Sequence, residues 1–209
     1  MKGYFITGTD TNVGKTVLSA LLVAALDGTY WKPIQTGARE GTDREAVRNW
    51  TGAPEDHLLP EACCFDDPVS PHLAARLAGE RIAVDTLDIP GAAPGSPLIV
   101  EGAGGVFAPV NDQALMRDLM VRVGLPVIVA ARTGLGTINH TLLTLAALRD
   151  SPLMVRGVVF IGDENVENRR AIEHYGHITV LGHIPRLQKI HRAALVEVFA
   201  SNFDAKAFQ

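Results

Sequence analysis

Cysteine is nearly absent from this chain. Cys63 and Cys64 are the only two. Adjacent cysteines rarely bond to each other, so there is no disulfide framework of the kind that staples small secreted domains. Basic residues are not in excess either: 19 Lys and Arg face 23 Asp and Glu, for a formal net charge of -4. A broad nucleic-acid surface normally shows as a basic surplus, and no run of Lys or Arg marks a local one. No apolar stretch is long enough to cross a bilayer. The opening Met1–Ile6 has one basic residue and then three apolar ones, too few for the apolar region of a secretory leader. Repeats, low-complexity tracts and linkers are missing, and Asp88–Pro97, rich in Pro, Gly and Ala, is only loop-sized. These absences point to a cytoplasmic protein with reduced thiols and neither a nucleic-acid nor a membrane partner.

What is present is apolar material in ordered blocks. Hydrophobic residues make up 47% of the 209 and charged residues 20%, enough for a sizeable core in one α/β domain spanning 1–209. Short apolar runs at Tyr4-Phe5-Ile6, Tyr30-Trp31, Leu98-Ile99-Val100, Val127–Ala131, Val158–Ile161 and Ile178–Leu181 read as strands. Helical patterns occupy Val17–Leu26, Leu115–Val123, Ile138–Leu148 and Glu167–Tyr175. Continuous apolar strands alternating with helices predict an α/β fold: a doubly wound, mostly parallel sheet covered on both faces. Ligands in such sheets bind at the carboxyl ends of the strands, where every motif below falls.

Gly8-Thr9-Asp10-Thr11-Asn12-Val13-Gly14-Lys15-Thr16 follows the first strand and opens the first helix. Five residues separate Gly8 from Gly14, one more than in the usual phosphate loop. Backbone N–H groups of Gly14, Lys15 and Thr16 would still face phosphate oxygens with the positive helix end behind them. Lys15 adds charge for the β- and γ-phosphates, and the Thr16 hydroxyl can ligate Mg2+. A glycine turn with a surface lysine would explain Gly8 and Gly14, but not Lys15-Thr16 between a strand and a helix. The loop therefore reads as nucleotide-binding, Thr9, Asn12 and Val13 included, in a phosphate-loop NTPase-like fold.

Leu98-Ile99-Val100-Glu101 ends an apolar strand in a carboxylate before the flexible Gly102–Gly105, the form a second metal motif takes in phosphate-loop enzymes. Glu101 could hold Mg2+ opposite Thr16, and Asp43 could add an oxygen. Hard Mg2+ suits one or two carboxylates plus phosphates and water. Asp43 reads equally well as the N-terminal acid of a helix over Arg44–Trp50. Lys32, leaving the second strand, can neutralise a second anion, with the Thr36 hydroxyl beside it. Ser70-Pro71-His72 reads as a capped helix start. His174 and His177 lack a third ligand and read as a solvated helix end.

Together these residues resemble dethiobiotin synthases along almost the whole chain. The resemblance is carried by Gly8–Thr11 with Val13–Thr16, Lys32-Pro33 with Thr36-Gly37, Ser70–His72, Glu101–Gly105, Leu125–Ile128, Leu135-Gly136 with Ile138–His140, and Gly182 with Ile184-Pro185. It implies an ATP-dependent ligase of biotin synthesis that carboxylates 7,8-diaminononanoate with CO2 and closes a cyclic urea. The reaction implied runs through a carbamate and a carbamic-phosphoric anhydride, with ADP and phosphate released. It implies that Lys15 and Mg2+ stabilise the transferring phosphoryl group, that Lys32, Thr11 and Thr36 hold the carbamate, and that Thr16, Asp43 and Glu101 hold the metal. It further implies a homodimer with substrate at the interface, the partner capping the distant carboxylate through Gly136 and Asn139.

Two departures from the family stand out. Asn12 stands where relatives can carry Glu, removing one charge from the loop. Ile161 and Gly162 stand where family members often have an adenine-reading Asn, which predicts looser discrimination among nucleoside triphosphates. Rival readings fit less well. A regulatory or partitioning phosphate-loop ATPase usually has an extra early lysine, where this chain has Thr9, Asp10 and Thr11. An ATP-dependent amidotransferase needs a glutaminase region for which 209 residues leave no room. A non-catalytic nucleotide-binding module does not explain Lys32, Glu101 and Asn139 gathered on one edge.

Overall fold

The computed structural model describes residues 2–208 and is organised around a seven-stranded sheet. The first half of the chain forms β1 (Gly3–Gly8), α1 (Lys15–Leu26), β2 (Thr29–Trp31), β3 (Ile34–Gln35), α2 (Asp43–Thr51), β4 (Leu58–Leu59), β5 (Cys63–Cys64) and α3 (Pro71–Leu77). The second half forms β6 (Leu98–Gly105), α4 (Met116–Val123), β7 (Val127–Arg132), α5 (Thr137–Arg149), β8 (Val155–Ile161), α6 (Val166–Gly176), β9 (Val180–Ile184) and α7 (Arg192–Asn202). The main sheet runs β4-β2-β6-β1-β7-β8-β9, and all of its pairings are parallel. β3 and β5 form a separate parallel pair.

Strand periodicity divides the core. Phe5, Trp31, Leu98, Val100, Val129 and Phe160 face one layer, packed with Met116 and Leu119 of α4, Leu145 and Leu148 of α5 and Ile172 of α6. Their strand neighbours Tyr4, Ile6, Tyr30, Ile99, Ala130 and Val159 face the other, with Leu18 and Leu22 of α1, Val47 of α2 and Leu195 of α7. Alternation at a period of two sends each strand's apolar residues to both sides, so both faces of a central strand are mainly apolar. This is the doubly wound arrangement expected from the apolar runs.

Several boundaries differ from the sequence expectation. β6 does not close at Glu101 but continues through the glycine run to Gly105, leaving Glu101 paired with Ile6 inside the sheet. The glycines serve close approach there: a Cβ on Gly102 would stand 2.9 Å from the Phe5 ring. The last strand lies at Val180–Ile184 rather than Ile178–Leu181. β3, β4 and β5 are two residues each, too short to leave a periodic trace. α7 had no expectation, yet it covers α1 and completes one layer. α3 starts at Pro71 as expected, but the Ser70 side chain makes no cap bond and meets His72 Nδ1 at 3.0 Å instead.

Candidate active site

The site grows from the register of three central strands. Trp31 pairs with Val100, so Lys32, the next residue, comes level with Glu101 across the β2–β6 ladder. Ile6 pairs with Glu101 from the other side, and β1 then runs directly into the glycine loop. Because Ile99 faces the layer that holds α1 and α2, Glu101, two residues on, faces those helices as well.

The helices supply the remaining groups. Thr42 caps α2 through a capping box: its hydroxyl accepts from the Glu45 N–H at 3.1 Å, and Glu45 Oε2 accepts from the Thr42 N–H at 2.8 Å. That box makes Asp43 the first helical residue, and its N–H donates to Gln35 Oε1 at 3.0 Å. Asp43 therefore opens the helix, and its carboxylate points at Thr16. Thr16 Oγ1 lies 3.1 Å from Asp43 Oδ1 and 2.9 Å from Glu101 Oε1. One hydroxyl proton can serve only one of these acceptors at a time.

Lys32 Nζ forms an ion pair with Asp43 Oδ2 and a second, at 3.2 Å, with Glu101 Oε1. Glu101 is 1% exposed and Lys32 6%, a depth at which an unpaired charge would be strongly disfavoured. Burial works against the Lys32 ammonium, but the two carboxylates outweigh it and hold its pKa above the ordinary value. The Lys15 ammonium differs: burial pushes its pKa down, Glu101 opposes that, and the Lys32 charge adds to the fall.

The loop itself is held open by its backbone. Asn12 and Gly14 adopt left-handed conformations, at φ 57° and 96°. A Cβ on Gly14 would stand 2.8 Å from the Ile161 side chain, so this position needs glycine for space as well as for φ. The Thr9 N–H is engaged by the Ala130 carbonyl at 3.0 Å, and its hydroxyl oxygen is buried without a partner. The Thr11 N–H goes to Asp10 Oδ1 at 2.7 Å. Among the described residues no protein acceptor takes the N–H groups of Asn12, Val13, Gly14, Lys15 or Thr16. Lys15 Nζ folds back to the Asp10 carbonyl at 3.0 Å. Five free donors at a helix N-terminus beside a buried lysine make an anion cradle.

A divalent cation suits the neighbouring group. Thr16, Asp43 and Glu101 present oxygen only, two of them as carboxylates converging on one hydroxyl, the donor chemistry of Mg2+. Among the described residues no three His, Cys, Asp or Glu side chains gather for a metal. A cation held here would therefore take its other oxygens from a nucleotide or water.

The structure thus brings Lys15, Thr16, Lys32, Asp43 and Glu101 together. Thr36 is tied to the same group less directly: Gln35 donates to its carbonyl at 2.7 Å while accepting from Asp43. Gly136 and Asn139 stay apart from the cluster, exposed at the head of α5, where Gly136 takes φ 90°. Two contributors had no signal in the sequence. Tyr30 donates to Glu101 Oε2 at 2.9 Å, and Arg132, at the end of β7, meets Asp10 Oδ2 at 3.1 Å. Tyr30 reads as an ordinary strand aromatic, and only the strand register reveals its reach.

A family model described as an AAA domain matches residues 2–194. The chain is 47% identical over 207 residues to the ATP-dependent dethiobiotin synthetase BioD of Rhodopseudomonas palustris (strain HaA2), covering 99% of this chain and 96% of that protein. It is 49% identical over 195 residues to the protein of the same name from Paramagnetospirillum magneticum (strain ATCC 700264 / AMB-1), covering 93% of each. Against the one from Agrobacterium fabrum (strain C58 / ATCC 33970) the identity is 45% over 205 residues, with 98% and 96% covered. Among solved structures, a ParA family ATPase from Chlorobium tepidum TLS aligns with a TM-score of 0.51 over 95% of this chain and 90% of that one. At 12% identity that likeness speaks for the fold alone.

Proposed function

The chain belongs to the ATP-dependent dethiobiotin synthetase family, and from that premise we propose that it carboxylates 7,8-diaminononanoate with CO2 and closes the product to dethiobiotin at the expense of ATP. The observation that carries this reading is the meeting of two lysines, two carboxylates and one hydroxyl beside a free-amide loop. A simple nucleotide-binding module needs the loop and Lys15 but has no use for a second lysine buried next to them.

In the proposed sequence one substrate amine adds to CO2 and gives a carbamate. A carbamate oxygen then attacks the γ-phosphorus of ATP, ADP leaves, and a carbamic-phosphoric anhydride remains. The second amine attacks the anhydride carbonyl, phosphate leaves, and the cyclic urea is closed. Lys15 and the N–H groups of Asn12, Val13, Gly14 and Thr16 stabilise charge on the phosphates in a site already arranged for it. The Thr9 hydroxyl adds a donor to the same loop.

Thr16, Asp43 and Glu101 would hold Mg2+, which would supply charge neutralisation for the phosphates. Lys32, with Thr11 and Thr36, holds the carbamate in line for attack. Gly136 and Asn139 of a second copy cap the far carboxylate of the diamine in a homodimer, and the protein works in the cytoplasm. No helix among the described residues is long and apolar enough to cross a membrane.

Phosphate release measured with and without diamine and bicarbonate tests the proposal. Release should require both together with ATP, and release that is unchanged without the diamine would overturn it.

A further inference from the structure

The two oxygens of Glu101 face different surroundings. Oε1 lies 2.9 Å from Thr16 Oγ1 and 3.2 Å from Lys32 Nζ, at the mouth of the site. Oε2 accepts from the Tyr30 hydroxyl at 2.9 Å, inside the apolar layer. Tyr30 is fully buried, and its backbone pairs with Ile99, two residues before Glu101 on the same face of the sheet. Its phenol ring therefore lies along the strand and ends on the inner carboxylate oxygen. The ring is packed by the core and cannot follow Glu101 if the carboxylate turns.

We propose that Tyr30 is a positioning residue that restricts Glu101 to one outward oxygen and thereby makes the metal site favour Mg2+ over Ca2+. This rests on the reading above, in which Thr16, Asp43 and Glu101 hold the metal. Mg2+ is small, keeps several waters and takes one oxygen from each of one or two carboxylates. Ca2+ needs more oxygens and often obtains them from both arms of a carboxylate. Turning Glu101 to offer both arms would break the Tyr30 bond and strand a hydroxyl in the core, where an unpaired polar group is strongly disfavoured. Tyr30→Phe removes that penalty while keeping the ring that fills the core.

The test uses the full chain with a non-hydrolysable ATP analogue. Bound Mn2+ is followed by the electron paramagnetic resonance of the free ion, and Mg2+ and Ca2+ are compared as competitors. Tyr30→Phe should keep a cooperative thermal transition while its Mg2+ preference over Ca2+ falls about tenfold, the size expected for one buried hydrogen bond. Tyr4→Phe, which removes another phenol hydroxyl from the same apolar layer, should leave the preference unchanged. With 3-fluorotyrosine at position 30, a stronger donor on the same ring, the preference should move further toward Mg2+. That arm also decides the matter if Tyr30→Phe does not fold. An unchanged Mg2+ to Ca2+ ratio in folded Tyr30→Phe, an unmoved ratio with 3-fluorotyrosine, or an equal shift in Tyr4→Phe would overturn the role of Tyr30. Failure of the unsubstituted protein to bind Mn2+ with the analogue would overturn the metal site itself, a separate result.

Discussion

Thr16 and Glu101, 85 residues apart in the chain, meet through a 2.9 Å contact between the Thr16 hydroxyl and Glu101 Oε1. The contact joins the start of α1 to β6, an interior strand of the parallel sheet, so the phosphate loop and the acidic motif are held by one core. Thr16→Val keeps the β-branched shape and removes the hydroxyl. Steady-state phosphate release should fall by about a hundredfold or more, the scale of losing one preorganised polar group from such a site. The thermal midpoint should stay within a few degrees, because Glu101 keeps Tyr30 and Lys32 as donors.

Lys32 and Lys15 should respond to substitution in opposite ways. Lys32 neutralises two carboxylates, one of them almost wholly buried, so Lys32→Met leaves Glu101 without its ammonium partner. In metal-free protein, urea unfolding should show a loss of about 3 kcal/mol, the usual cost of breaking a buried ion pair from one side. Nucleotide binding should persist while diamine-dependent phosphate release is lost. If metal-free Lys32→Met is as stable as the unsubstituted protein, the ion pairs do not have this weight.

For Lys15 the sign reverses. Burial lowers its pKa, so the charged form is disfavoured in the folded, nucleotide-free protein. Lys15→Met should raise the stability of that form at neutral pH while abolishing nucleotide-dependent chemistry. The native lysine loses its proton at a lower pH than an unfolded one. The advantage of Lys15→Met should therefore shrink as pH rises through the lowered value and vanish near the ordinary lysine value of about 10.4. Urea denaturation of both proteins between neutral pH and that value would show this convergence. A constant difference would mean that burial of the charge is not its origin.

The legibility of this site in the sequence followed the length of each signal. The phosphate loop, Lys32 and Glu101 are marked by short motifs attached to apolar strands, and parallel register brings them level. Asp43 could not be separated from an ordinary helix-start acid, because the helix dipole favours a carboxylate in the first turn whatever else that carboxylate does. Tyr30 could not be read at all: its function depends on pairing with Ile99, a contact between segments far apart in the chain. β3, β4 and β5 are invisible for a related reason, since two-residue strands have no period to detect. The glycine run after Glu101 misled in the other direction. Glycines usually end a strand, yet here they let β6 pass Phe5 and continue.

The proposed function puts the nucleotide base beside Ile161 and Gly162. Ile161 packs its side chain against Gly14 of the loop and offers no hydrogen bond to a base edge. The adjoining pocket includes Asp163, His183, Arg186 and Asn202 in its lining, and these are engaged with the protein itself: Arg186 donates to Asp163 Oδ2 at 3.2 Å, Asn202 to the His183 carbonyl at 3.0 Å, and His183 Nε2 meets the Gly162 carbonyl at 2.7 Å. Reaction rates with CTP and GTP should lie within about tenfold of ATP, because discrimination beyond that requires a dedicated polar contact. A strict requirement for ATP in parallel assays would overturn this. Gly14→Ala should abolish activity with all three nucleotides, since it adds backbone strain and a clash with Ile161 to a loop they share.

A shared site between two copies can be tested without a structure of the pair. Asn139 is exposed at the head of α5, far in sequence from the loop, and beside it Leu135 is fully exposed. Among the described residues the N–H groups of Ile138 and Asn139 have no protein acceptor, so the helix start is free to receive a carboxylate. Lys15→Ala and Asn139→Ala should each be inactive, the first at the phosphate end and the second at the far end of the diamine. If each site draws Asn139 from the partner, a mixed dimer of the two variants contains one site with both residues intact. Half of a random equimolar mixture is mixed dimer with one working site of two, so about one quarter of native activity should return. Activity that stays at the level of the separate variants, in a mixture shown by native mass spectrometry to have exchanged subunits, would mean that each copy caps its own substrate.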